Sequence, residues 1–232
     1  MDAYSKKYNY IIRWNAKSGC TFFRQLFLKL HYDEIEKPTN KWHNIHHDFP
    51  LPDNLLNIKK IILCRNPYYR AVSIFCNKYC GGKGHSILPE KIKLKKCTFR
   101  NFLNELNELK KQKKLNNIDG HISEQSHNVI FNKDSYILKI ENLNETICDI
   151  YKKMNLETLI PKIKNFMDNS NKIFINKTNR NLTEEYIYDI EYSPESVIFP
   201  DYKYFYNQEL LDLCYEIYKD DFINFNYEKT FN

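Results

Sequence analysis

The stretch from Tyr8 to Leu30 limits what this chain can fold into more than any other. Tyr10-Ile11-Ile12-Arg13-Trp14 is a compact apolar run suited to a central strand, and Lys17-Ser18-Gly19-Cys20-Thr21 follows it directly. Phe22, Phe23, Leu26, Phe27 and Leu30 then recur at three- and four-residue spacing, which assigns Arg24, Gln25 and Lys29 to the opposite face of a helix. The expected unit is strand, short turn, amphipathic helix. A turn at the carboxyl end of a strand and the amino end of a helix offers free backbone N–H groups and the positive end of the helix dipole, so its natural guest is phosphorylated or sulfated. Lys17 can reach over such an anion, Gly19 lets the backbone come close, and Ser18 and Thr21 add hydroxyl donors. The usual triphosphate-binding loop has its lysine after the glycine, and here it comes before. An ordinary capped helix with an exposed lysine explains so short a motif as well, so a second anion site has to decide.

A second strand-turn-helix unit supplies a candidate. Lys59-Lys60-Ile61-Ile62-Leu63-Cys64 reads as a strand, Asn66 as an N-cap and Pro67 as the first residue of a helix running to about Tyr79. Asn66, Arg70, Ser73 and Asn77 fall on one face of that helix, and Tyr69, Val72, Cys76 and Tyr79 on a more apolar one. Arg65 at the strand end and Ser73 on the polar face can converge on one phosphate, which a guanidinium fork grips by two hydrogen bonds. A surface arginine beside a solvated helix face accounts for the same residues.

Further along, Phe99, Phe102, Leu103, Leu106 and Leu109 predict a helix to Lys111, Tyr136 to Ile140 a strand, Asn142 or Asn144 the cap of a helix to about Met154, and Gln208 to about Phe222 a last helix. Strands alternating with helices give an α/β fold with a mostly parallel sheet. With 232 residues, 42% of them hydrophobic and 15% aromatic, and no long linker, one domain over residues 1–232 is expected. The net charge of +6 favours acidic ligands without choosing among them. Met1 to Asn9 is polar and contains no signal peptide or membrane anchor, so a soluble, cytoplasmic protein is expected. Seven scattered cysteines suit reduced thiols. Cys76, Cys80, His85 and Cys97 match no standard zinc spacing, and no metal site is assigned.

Several segments, in order, resemble the carbohydrate sulfotransferase family that includes the heparan sulfate 2-O- and chondroitin-type enzymes. Lys17-Ser18-Gly19-Cys20-Thr21 is similar to that family's loop for the 5′-phosphosulfate of 3′-phosphoadenosine 5′-phosphosulfate (PAPS). Arg65-Asn66-Pro67, with Arg70 and Ser73 following, resembles its 3′-phosphate motif, with Asn66 in place of the usual aspartate. Asp119-Gly120-His121 to Gln125, Ile140-Glu141-Asn142-Leu143 and Asp221-Phe222 to Tyr227 look like further landmarks.

The resemblance implies a P-loop-like three-layer domain with a central, mostly parallel sheet flanked by helices. It implies PAPS as donor, PAP as product and a hydroxyl acceptor, a glycan by likeness to the family's sugar enzymes, with no metal and no nucleic acid. Lys17, Ser18, Gly19, Cys20, Thr21, Arg65, Ser73, Lys177 and Thr178 would hold the donor, with Lys17 also acting in catalysis. A histidine between the two donor motifs would be the base, which points to His43, His46 or His47 with His46 favoured and His121 a rival. Two other classes compete. A nucleotide-dependent phosphotransferase of related fold predicts magnesium dependence, and a basic nucleic-acid-binding protein predicts binding that falls steeply with salt.

Overall fold

A computed structural model describes residues 2–32, 49–55, 57–79, 98–174 and 201–230. In chain order the strands are β1 (Asp2–Ser5), β2 (Tyr10–Arg13), β3 (Lys59–Cys64) and β4 (Ser135–Lys139). The helices are α1 (Cys20–His31), α2 (Pro67–Ile74), α3 (Phe99–Lys111), α4 (Leu115–Ile118), α5 (Leu143–Lys153), α6 (Ile160–Phe174), α7 (Gln208–Ile217) and α8 (Lys219–Asn224). The chain divides into two compact units, residues 1–65 with 130–177, and residues 66–129 with 178–232.

The first unit holds the sheet, in the order β1-β2-β3-β4. β2, β3 and β4 run parallel, with Ile12 opposite Ile61 and Ile61 opposite Tyr136, while β1 pairs antiparallel with β2. Ile61, Leu63, Ile12 and Leu138 join Phe23, Leu26, Phe27 and Leu30 of α1, Ile147 and Ile150 of α5, and Ile163 and Met167 of α6 in one apolar core. Ile11 and Ile62, on the alternate face of their strands, are buried too, as expected where parallel strands are covered on both sides.

Three features of this unit differ from the sequence expectation. β1 was not anticipated, because its inward positions are Ala3 and Ser5, too small to register as an apolar alternation. α6 was not anticipated either, although Ile160, Ile163 and Met167 carry the helical spacing. Arg24 does not lie on a solvated face; it is buried, with its guanidinium 5.7 Å from the Trp14 ring, a stacking that explains how a cation is tolerated there.

The second unit is helical, with its own core of Tyr68, Val72, Phe75, Phe99, Phe102, Leu106, Phe205, Leu210, Ile217 and Phe222. α2 begins as expected: Asn66 Oδ1 accepts from the Tyr68 amide at 2.9 Å and Pro67 follows the cap. It stops being α-helical earlier than predicted, since Phe75–Tyr79 winds into a π-helical turn. The last helix is likewise broken at Tyr218, separating α7 from α8. Among the described residues no helix is long and apolar enough to cross a membrane.

Candidate active site

The β2–α1 turn is built from strained backbone. Lys17 has φ +68° and Gly19 φ +77°, two left-handed residues flanking Ser18, whose amide donates to the Asn15 carbonyl at 3.2 Å. A left-handed non-glycine residue is uncommon, and it is what turns the chain from strand into helix within so few residues. Helical bonding begins where the Phe23 amide donates to the Gly19 carbonyl, and no side chain caps α1. The first amides of a helix have no acceptor within it, and the first turn of α1 contains no acidic residue, so the electrostatics favour an anion.

Gly19 has a second constraint. A Cβ placed on it would lie 2.5 Å from Ile140 Cδ1, so the turn packs directly against the residue that follows β4. That contact gives the Ile140-Glu141-Asn142-Leu143 segment a physical role in seating the turn. Arg65, immediately after β3, completes the arrangement: its Nη1 donates to the Lys17 carbonyl at 3.2 Å. β2 and β3 are neighbours and parallel, so both cationic residues stand at carboxyl ends of adjacent strands, where open α/β sheets collect ligands.

Of the residues expected to hold the donor, Lys17 to Thr21 thus form one turn and Arg65 is bonded to it. Ser73 lies half-buried on α2 in the second unit. His43, His46, His47, Lys177 and Thr178 lie outside the described residues. So do Cys80, His85 and Cys97 of the zinc-like set, and among the described residues no cluster of three or more histidine, cysteine or acidic side chains suits a metal.

Arg70 overturns its sequence reading. It is 1% exposed rather than on a solvated face, because its Nη2 donates to the His121 carbonyl at 2.8 Å and its guanidinium lies over the Tyr218 ring. In the same unit His121 Nδ1 and the His121 amide each lie 2.8 Å from Asp119 Oδ1. Burial works to raise the Asp119 pKa, but the hydrogen bonds and charge of His121, with help from Lys78, hold the carboxyl below its ordinary range. The partnership was missed from sequence, although the Asp119-Gly120-His121 spacing was its only available sign.

A strand-turn-helix turn at the carboxyl ends of two parallel strands is P-loop-like, and with its lysine ahead of its glycine it departs from the usual triphosphate-binding pattern. The sequence profile of the Sulfotransferase family matches residues 4–228, and the chain belongs to that family. It is therefore a transferase of the sulfuryl group, with an α/β, P-loop-like fold. No curated protein and no solved structure matches the chain.

Proposed function

We propose that this chain moves the sulfuryl group of PAPS to a hydroxyl of a carbohydrate acceptor, leaving PAP, and that residues 1–232 act as one catalytic domain. The observation that carries the reading is the bond from Arg65 to the Lys17 carbonyl, which fastens two cationic residues together at the ends of neighbouring parallel strands.

Sulfuryl transfer, like phosphoryl transfer, is an in-line displacement through a loose transition state, so the protein's task is positioning and charge stabilisation. The amides of Gly19 to Thr21 hold the 5′-phosphate end of the donor, and the Lys17 ammonium neutralises charge on the departing phosphate. Arg65 and Ser73 bind the 3′-phosphate, which distinguishes PAPS from ATP and AMP. Lys177 and Thr178 close over the donor, and a histidine takes the proton of the acceptor hydroxyl; likeness to the family's sugar enzymes supplies His46 as its candidate.

Calorimetry with 3′,5′-adenosine bisphosphate, ATP and AMP on the parent chain, Lys17→Ala and Arg65→Ala tests the donor. The reading expects bisphosphate to bind tightest and Arg65→Ala to remove that preference; equal affinity for AMP and bisphosphate overturns it. Radiolabelled PAPS offered with a panel of glycans, phenols and small alcohols tests the acceptor, and label appearing in a phenol but in no glycan overturns the carbohydrate assignment.

A further inference from the structure

Within the first unit, the turn after β2 is met by residues from two other strands. Arg65, the residue after β3, donates to the Lys17 carbonyl. Ile140, the residue after β4, holds its Cδ1 2.5 Å from where a Cβ on Gly19 would be. β3 and β4 pair in parallel up to Cys64 opposite Lys139, so Arg65 and Ile140 leave neighbouring strands at the same level. The sheet order is β2-β3-β4, and strands about 4.8 Å apart set the end of β4 about 10 Å from the end of β2. A turn that leaves β2 and meets Ile140 at Gly19 therefore leans across the end of β3, with Arg65 bonded to it on the way.

The two contacts differ in kind. Arg65 acts through a charged hydrogen bond and Ile140 through shape. Isoleucine is branched at Cβ and stiff about χ1, so it transmits a position where a flexible side chain would yield. Its backbone is fixed on both sides. Lys139 before it is paired in β4, and the Leu143 amide donates to the Ile140 carbonyl in the 3-10 turn over Ile140–Asn142 that leads into α5. Leu143 in turn packs against the apolar core of the unit. Between the two contacts lies Ser18, fully buried. Left-handed Lys17 and a tightly packed Gly19 keep their places only while their surroundings hold them, and Ile140 is the apolar part of that support. Ile140 is itself only half-buried, so shortening it removes less from the core than shortening a neighbour such as Leu138.

We propose that Ile140 is a positioning residue of sulfuryl transfer: it fixes where Gly19 sits over the strand ends and so aims the Gly19 to Thr21 amides at the 5′-phosphate of the donor. The inference rests on the sulfotransferase reading. Ile140 acts through Gly19 alone, and no bond to the donor is assigned to it. A smaller residue at 140 gives the turn room to settle toward β4, and amides that miss their target by a fraction of an ångström lose most of their hold. The loss falls on the 5′ end of the nucleotide and spares the 3′ end, which the turn does not hold.

Calorimetry with AMP, adenosine 3′-phosphate and 3′,5′-adenosine bisphosphate on the parent chain, Ile140→Ala and Ile140→Val tests this, with urea midpoints beside it. Ile140→Ala is expected to weaken AMP and bisphosphate by about tenfold each while adenosine 3′-phosphate stays within about twofold. Ile140→Val, which keeps the branched Cβ and loses only the methyl at Gly19, should fall between parent and alanine. In the Ile140→Ala background the added Cβ of Gly19→Ala meets no isoleucine tip, so the double variant should bind AMP better than the two single losses multiplied would allow. Parent-like AMP affinity in Ile140→Ala overturns the assignment. So does an equal loss of the 5′- and 3′-phosphates, which a general loosening of the fold produces. Failure of the parent chain to bind bisphosphate overturns the donor reading instead, so the two failures are told apart.

Discussion

Arg65 donates a 3.2 Å hydrogen bond to the carbonyl oxygen of Lys17, so the residue after β3 is tied to the main chain of the turn after β2. Lys17 itself sits at φ +68°, a conformation that needs external support to persist. Arg65 is thus asked to steady the turn as well as to supply positive charge. Replacing it separates the two tasks: Arg65→Lys keeps the charge but cannot present a planar fork. The expectation is that Arg65→Ala weakens 3′,5′-adenosine bisphosphate binding by about tenfold or more, roughly 1.4 kcal/mol, and that Arg65→Lys restores only a minor part of it. Calorimetry on the three chains reads both effects.

Gly19 is constrained twice, by its φ of +77° and by Ile140 Cδ1 at 2.5 Å from a built Cβ. A left-handed alanine costs about 1–2 kcal/mol, and the collision adds to it unless the isoleucine tip moves aside. Gly19→Ala should therefore lower stability by about 2 kcal/mol and weaken bisphosphate binding. Adding Ile140→Val, which removes the colliding methyl, should recover the steric part and leave the conformational part. Urea midpoints of the two variants, compared with Ile140→Val alone, check the partition.

The parts of the fold that the sequence declared are those whose local and tertiary preferences agree. β3 and α3 fall on their expected residues, Lys59 to Cys64 and Phe99 to Lys111, because an unbroken apolar run and a clean helical stripe each have one good solution. The turn from Lys17 to Thr21 was legible because a glycine between two apolar elements has few other uses. Arg24 and Arg70 were assigned to the polar faces of their helices because periodicity treats every guanidinium as polar. Their real environments, an indole face in one case and loop carbonyls with a tyrosine ring in the other, come from residues distant in sequence. The same holds for the loop at 119–126: nothing near it in the chain announces Tyr218 or Asp221, about ninety residues later.

The Asp119 carboxyl is held below its ordinary value of 3.8 despite the opposing pull of burial, by the His121 ring and amide. A depressed carboxyl stabilises the fold at every pH above the unfolded value, and that contribution is lost as pH falls through the lower, folded one. The stability difference between the parent chain and Asp119→Asn should thus be full near about pH 6 and shrink as the pH is taken below about 4. Urea titrations across that window measure it; a difference that grows on acidification would contradict the sign.

Asp221 has the opposite sign and the larger structural duty. Its burial raises the carboxyl above 3.8, against the lowering influence of Arg70 and of the Gln125 and Ser126 amides. For a raised carboxyl the native state binds the proton more tightly than the unfolded chain, so stability falls as pH climbs from the unfolded value through the folded one. Asp221→Asn, which cannot ionise, should consequently be most destabilised relative to the parent at the acid end of that window and less so above it. Asp221→Ala removes the acceptor for both amides and for the Ser126 hydroxyl at 2.9 Å, leaving buried donors unpaired. At about 1–3 kcal/mol for each such donor, a loss of about 3 kcal/mol or more is expected, with Asn intermediate because its amide turns one donor against another. Denaturant unfolding of the two variants at acid and neutral pH gives the order and the sign, and hydrogen exchange at the Gln125 and Ser126 amides localises the loss to the loop that presents His121.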